Sequence, residues 1–301
     1  MLTTQLLDPK NDYVFKRLFA EAPDLLVSLI NDLRPDLPEI TDIEVLNPNI
    51  EASELTGKYI ILDVLARDTE GVQYNIEMQV RRYNAWGQRS LYYLARMLSD
   101  QLDAGREYHR LKAAVGIHLL DFDLFDDNPA QKEQSVWRFE MRDSAQPDVL
   151  LGNELQLNII ELKKADALGI TSDTLKAWVT FFEHWQEDAL MANITHEPIK
   201  KAMSRIRLLS ADKEEKRLAL VRERALHDEA TLMHEAKEEG REEGREEGEH
   251  IGYQKAQSEA QKKIAAAVMN LVKLGLPDEQ VAEAFQIGEE EVQAIKDGHL
   301  H

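Results

Sequence analysis

The stretch that decides the fold is Tyr59-Ile60-Ile61-Leu62-Asp63-Val64-Leu65-Ala66-Arg67-Asp68-Thr69-Glu70-Gly71-Val72-Gln73-Tyr74-Asn75-Ile76-Glu77-Met78-Gln79-Val80. Tyr59 to Ala66 and Gln73 to Val80 alternate with period two. A polar turn, Arg67 to Gly71, separates them, so the segment reads as an antiparallel hairpin. A turn centred near Glu70 sets Asp63 opposite Glu77. Because side chains alternate across a strand, Asp63 shares a face with Ile61 and Leu65, and Glu77 shares that face with Asn75 and Gln79. Leu62, Val64, Ala66, Tyr74, Ile76, Met78 and Val80 make the opposite, apolar face. Directly opposed side chains have Cβ atoms about 5 Å apart, and like charges there are destabilising. A divalent cation would compensate, since Mg²⁺ takes oxygen ligands from one or two carboxylates and completes its shell with water and phosphate. An ordinary solvated sheet face on which an Asp and a Glu meet fits the spacing equally well.

Outward from the hairpin, residues 10–34 carry apolar side chains three and four apart: Tyr13, Val14, Phe15, Leu18 and Phe19, then Leu25, Leu26, Leu29, Ile30 and Leu33. Ala22-Pro23-Asp24 divides them into two helices. Asp12, following Asn11 at a helix start, reads as a cap. Asn47 to Thr56 is loop-like. Residues 84–111 return to helical spacing through Trp86, Leu91, Tyr92, Leu94, Ala95, Leu98 and Leu102. Ala113 to Phe122, Val136 to Met141 and Leu155 to Leu162 read as strands. After Thr171 the pattern is helical almost to the end.

This is an α/β core with a mixed sheet flanked by helices, followed by an all-α region. The expected segments are a core at 1–170, a helical extension at 171–235, a Glu/Gly-rich helical or flexible connector at 236–263 and a small helical module at 264–301. Within the connector, Glu-Glu-Gly-Arg tetrads place Gly240, Gly244, Gly248 and Gly252 four apart. Each glycine costs a helix roughly 1 kcal/mol against alanine, which favours a solvated connector over a helix-packing stripe. The last module suggests short helices with tight turns. A recognition helix opening on Glu289-Glu290-Glu291 would aim carboxylates at phosphates, so protein contact is the expectation there.

The 301 residues hold 36 Lys and Arg against 56 Asp and Glu, a formal net charge of −20. Bulk charge therefore does not bind this chain to nucleic acid or to an anionic membrane. A local count differs. Between residues 80 and 112, Arg81, Arg82, Arg89, Arg96, Arg106, Arg110 and Lys112 face only Asp100, Asp103 and Glu107. Tyr83, Trp86, Tyr92, Tyr93 and Tyr108 are interleaved, so cationic and aromatic contacts to a DNA backbone are available beside Gln79. A second basic stretch, including Lys200, Lys201, Arg205, Arg217 and Arg222, either lines the same groove or pairs with neighbouring acids. No cysteine is present, which excludes disulfides and Cys-ligated metals. Without a cationic and apolar leader, or a run of about 18 apolar residues, a cytoplasmic protein with no membrane association is expected.

Asp63 on one strand with Glu77-Met78-Gln79 on the next resembles the PD-(D/E)xK nuclease superfamily, Gln79 standing where its last motif usually has Lys. The ordered set narrows this: Lys10 to Phe19; Leu62-Asp63-Val64 with Asp68 and Gly71; Ile76-Glu77-Met78-Gln79; Arg89 with Tyr92 and Tyr93; Gly105-Arg106-Glu107-Tyr108; and Ile160-Glu161-Leu162-Lys163-Lys164. Together with the tetrads, it resembles the Rpn family of recombination-promoting nucleases, also labelled YhgA-like transposases.

The resemblance implies a restriction-endonuclease-like core and a metal-dependent DNA endonuclease serving recombination and phage defence. It makes Asp63 and Glu77 metal ligands, with the Met78 backbone carbonyl as a third oxygen, for Mg²⁺ or alternatively Ca²⁺ or Mn²⁺. Gln79 and Lys16 are the further catalytic candidates, although a neutral amide supplies no charge to a phosphate. Arg81, Arg82, Arg89 and Tyr93 are the candidate DNA contacts; for Tyr92 and Tyr93 a core position is the stronger reading. Glu161 on the last strand reads as structural. The family pattern also implies a homodimer through the helical C-terminal region and a small C-terminal fragment acting as regulator. The alternatives are a catalytically weak or inactive DNA-binding or regulatory protein with this fold, and a transposase.

Overall fold

In a computed structural model, residues 5–47, 49, 63–82, 84–102 and 107–298 are described. Tyr59 to Leu62 of the expected first strand, and Tyr83, Asp103, Gly105 and Arg106, lie outside them. Asn11, not Asp12, caps helix α1 (Asp12–Ala20): its side-chain oxygen accepts from the N–H groups of Tyr13 and Val14 at 3.1 and 3.3 Å. Asp12 instead turns inward to a buried ion pair with Arg222. Pro23, whose missing N–H costs nothing at a helix start, opens α2 (Pro23–Leu33).

The sheet runs β1-β2-β3-β4-β6-β5, from β1 (Ile43–Val45), β2 (Val64–Asp68), β3 (Gln73–Gln79), β4 (Ala114–Leu120), β5 (Val136–Glu140) and β6 (Leu155–Glu161). β3–β4 and β4–β6 are parallel and the other pairs antiparallel. The hairpin has the register that the turn dictates, with Val64 opposite Ile76 and Leu65 opposite Asn75. β2 runs two residues past its expected end because Asp68 closes the turn itself. Its carboxylate accepts from the N–H groups of Glu70 and Val72 at 3.0 and 2.9 Å, and Gly71 supplies the φ of 87°.

One face of the sheet carries the main core. Val64, Ala66, Tyr74, Ile76 and Met78 of the hairpin meet Val115, Ile117 and Leu119 of β4, under Phe15, Phe19, Leu26 and Leu29 of the first two helices. Trp178, Phe181 and Phe182 of a later helix (Asp173–His184) join the same cluster. The opposite face is covered by α3 (Trp86–Ser99), which ends well short of residue 111; a single 3-10 turn, Tyr108–Arg110, follows. Trp86 and Leu94 of α3 rest on Ala114, Leu120, Leu157 and Ile159. Its Tyr92 and Tyr93 are 59% and 45% exposed, so the core reading of these tyrosines is corrected.

Two compact units are present, residues 1–229 and 230–301. A helix over Lys213–Lys273 contributes to each. In the first unit, its Ala219 and Arg222 are buried, and Glu215 accepts from Tyr13 and Arg17 of α1. The second basic stretch is largely spent on acids: Lys200 on Glu197, Lys201 on Asp24, Arg205 on Glu21, Arg217 on Glu214. In the second unit the tetrads are helical, and a Cβ on Gly240, Gly244, Gly248 or Gly252 would meet open space. Helices Asp278–Phe285 and Glu289–Lys296 enclose a small core of Val268, Val281, Ala282, Val292 and Ile295. Glu289, Glu290 and Glu291 occupy a helix first turn, where the dipole favours them.

Candidate active site

Asp63 immediately precedes β2. Its carbonyl accepts from Asn47 Nδ2 at 3.2 Å, and the Asn47 side-chain oxygen accepts from the Leu65 N–H at 2.7 Å. The Asn47 amide thus extends the β1–β2 pairing beyond the last backbone bond, Leu46 N–H to the Leu65 carbonyl at 2.7 Å. Continued by one pair, the hairpin register sets Asp63 across from Glu77.

Glu77 is buried between its neighbours on β3. Oε1 accepts from Asn75 Nδ2 at 2.6 Å and Oε2 from Gln79 Nε2 at 2.8 Å. Gln79 is 4% exposed, so the residue standing in the superfamily's Lys position orients Glu77. On the adjacent parallel strand, His118 Nδ1 lies 3.6 Å from Glu77 Oε2, and the Trp86 ring meets the imidazole edge-on at 5.2 Å. Burial lowers the His118 pKa, against the pull of Glu77. A neutral imidazole and two neutral amides therefore surround this carboxylate. Asn75 Oδ1 is buried and has no hydrogen-bond partner, which costs a folded chain roughly 1–3 kcal/mol if nothing else binds there.

Between the sheet and α3 lies a cavity of about 540 Å³ whose walls include Asp63, Asn75, Glu77, Arg89, Tyr93, Arg96 and Asp100. The Arg89 guanidinium lies over the Tyr93 ring at 5.4 Å. Arg96 pairs with Asp100 at 3.2 Å. Of the residues singled out from sequence, Asp63, Glu77, Arg89 and Tyr93 meet here. Lys16 is 1% exposed on α1, which packs on the opposite face of the sheet, and it does not line this cavity. Met78 sends its side chain into the main core and pairs with Leu119. Arg82 reaches the Asp123 carbonyl at 3.3 Å and Asp126 at 3.5 Å. Glu161 is wholly buried and structural in its contacts: it accepts from the N–H groups of Leu124 and Phe125, from Trp137 and from Lys164.

Arg81 bonds the Leu226 carbonyl and lines a second cavity of about 670 Å³ with Asp8, Lys10, Asp121 and Trp185. There Lys10 bridges Asp121 and Glu183 at 2.8 and 3.0 Å. Burial raises the Asp8 pKa, with the nearby Asp121 and Glu183 adding to it and Lys10 opposing. A raised carboxylate pKa means that ionised Asp8 costs stability above its folded value, and that this cost vanishes below the ordinary 3.8. Asp8→Asn keeps an acceptor for the Lys10 N–H. It is expected to melt higher than the wild type at pH 7, the gap closing as the pH falls toward 3.8; thermal scans across that range read it, and an equal or lower melting temperature at pH 7 contradicts it.

Sequence reasoning gave no site role to Asn47 or His118, treated Asn75 only as a face-mate, and named Arg96 and Asp100 only within a local charge count. His118 had a signal, an imidazole within the otherwise apolar run Ala113 to Leu120.

The chain belongs to the PD-(D/E)XK nuclease family transposases, whose family model matches residues 9–236. The tetrads lie past the matched span. No curated protein and no solved structure matches the chain. Nucleases of this kind generally use divalent metals, and family membership carries DNA binding with it. No helix among the described residues is long and apolar enough to cross a membrane. Among those residues no group of three or more His, Cys, Asp or Glu side chains is arranged to hold a metal ion. Asp63 and Glu77 together match what Mg²⁺ takes from a protein, one or two carboxylates, and the orphaned Asn75 oxygen in the same wall fits a hard cation.

Proposed function

We propose that this chain is a divalent-metal-dependent DNA endonuclease acting at the cavity between the sheet and α3. The observation that carries this reading is the convergence of Asp63, Glu77, Arg89 and Tyr93 on that one cavity. Asp63 and Glu77 would hold the cation, for which Mg²⁺, Mn²⁺ and Ca²⁺ are the candidates. When bound, it would supply a more acidic water and positive charge for the phosphate oxygens. Arg89 would attract and orient the phosphate, and Tyr93 would offer a ring face to a base or sugar. Gln79 and Asn75 hold the Glu77 carboxylate between them, fixing its orientation at little conformational cost. In this reading the activity serves recombination and phage defence in the cytoplasm. Incubating DNA with purified full-length chain, each metal in turn and EDTA is the test: cleavage that needs the metal and is abolished by EDTA is expected, and no cleavage under any metal overturns the reading.

A binding protein without turnover is the second reading, favoured by the commitment of the Gln79 amide to Glu77. It predicts metal and DNA binding with no cleavage under any metal.

A homodimer through residues 230–301 belongs to the same proposal, supported by exposed Ile251, Tyr253, Ile264 and Leu274 in that unit. Light scattering is expected to give twice the chain mass for the full protein and the single-chain mass for a chain ending at Glu229. Equal oligomeric states would overturn this arrangement.

A further inference from the structure

We propose that the side-chain carbonyl oxygen of Asn75 is a third oxygen ligand of the cation held by Asp63 and Glu77. This rests on the metal-dependent reading above and extends its ligand set beyond the two carboxylates. Asn75 is 6% exposed and lines the same cavity wall as the pair. Its amide orientation is fixed by chemistry: Nδ2 donates to Glu77 Oε1 at 2.6 Å, and a flipped amide would turn a carbonyl against a carboxylate. That leaves Oδ1 buried and without a hydrogen-bond partner.

The residues directly opposed to Asn75 in the sheet carry no side-chain donor. Across the β2–β3 ladder the opposed residue is Leu65, and across β3–β4 it is Gly116, which has no side chain. The His118 imidazole lies beside Gly116, its Nε2 3.3 Å from where a Cβ would stand, yet it makes no hydrogen bond to Asn75 Oδ1. Native chains leave few buried polar atoms unpaired, and an exception in a cavity wall beside two carboxylates points to an absent partner. A hard divalent cation accepts amide carbonyl oxygens as readily as carboxylates. A neutral third ligand also keeps the set at two negative charges, matching the charge of the ion.

The test uses the full-length chain with Mn²⁺ and Eu³⁺ as probes, so that no readout depends on cleavage. Asn75→Ala is expected to weaken Mn²⁺ binding, measured calorimetrically, by at least about tenfold. Europium luminescence lifetimes in H₂O and D₂O count the waters on the ion, and the same variant should gain about one. Asn75→Asp, which restores an oxygen but not the donor to Glu77, should hold the wild-type water count. An unchanged water count in a folded Asn75→Ala, with Mn²⁺ binding lost in Asp63→Asn and Glu77→Gln, would overturn the Asn75 ligand and leave the two-carboxylate site standing. Should Asn75→Ala fail to fold by circular dichroism, the Asp variant decides, because an additional water there contradicts the proposal. Binding indifferent to all of these substitutions would overturn the metal reading itself.

Discussion

Glu77→Gln is expected to lower divalent-dependent DNA cleavage by at least about a hundredfold, the scale on which removing a preorganised charge-stabilising group acts, while the protein stays folded. The substitution keeps volume and shape and removes only the charge. Because Asn75 Nδ2 and Gln79 Nε2 both donate to this carboxylate, one of them would face an NH₂ group in the variant. That mismatch costs about 1 kcal/mol or somewhat more. A melting temperature within a few degrees of wild type with cleavage lost is therefore the expected pairing. Asp63→Asn should behave alike, since the register sets Asp63 across from Glu77. Cleavage of supercoiled DNA with Mg²⁺ or Mn²⁺, and its loss on EDTA, is the measurement. Full activity in either folded variant would contradict the site.

The second large effect concerns stability. Arg222 is 2% exposed and clasps Asp12 through Nε and Nη2, at 2.9 and 2.7 Å to Asp12 Oδ2. This contact ties the first helix of the chain to the helix over Lys213–Lys273 across 210 residues. Arg222→Met leaves the Asp12 carboxylate buried with its main cationic partner gone. Breaking a buried pair from one side costs about 3–5 kcal/mol, which lowers the melting temperature by roughly 10 °C in a unit of this size. The double variant Asp12→Asn with Arg222→Met removes the stranded charge and should recover much of the loss. Calorimetric or circular-dichroism melts read both. A shift within error of zero for Arg222→Met would show that the pair contributes nothing.

The hairpin was legible because a polar turn of known length fixes the register, and register fixes which side chains face each other. That Asp63 faces Glu77 followed from that alone, while their reading as ligands came from the family resemblance. The surroundings of the pair did not, because local alternation says nothing about what covers a sheet face. Asn75, Glu77 and Gln79 look like the wet side of a strand, yet all three are buried, on a face that α3 closes over β4 and β6 through Trp86 and Leu94. Central parallel strands are covered on both faces, so a polar face there becomes a buried network. The tyrosines of α3 misled in the opposite sense. Trp86, Ser90 and Leu94, four apart, are its buried residues, which turns Tyr92 and Tyr93 outward despite their bulk. β1 was missed because three residues carry no measurable period. The roles of Lys16 and Arg81 depended on which end or face of the sheet each helix and loop meets, a long-range property without a local signal.

The net charge of −20 excludes DNA binding by bulk electrostatics, so in the proposed reading association comes from local charge and from the metal. The central claim, that Asp63 and Glu77 form a cation site, is tested most directly by crystals soaked in Mn²⁺ and examined by anomalous diffraction. The account predicts an anomalous peak within bonding distance of Asp63 and Glu77 carboxylate oxygens and of Asn75 Oδ1. A well-ordered site with no peak, or a peak held only elsewhere on the chain, would contradict it.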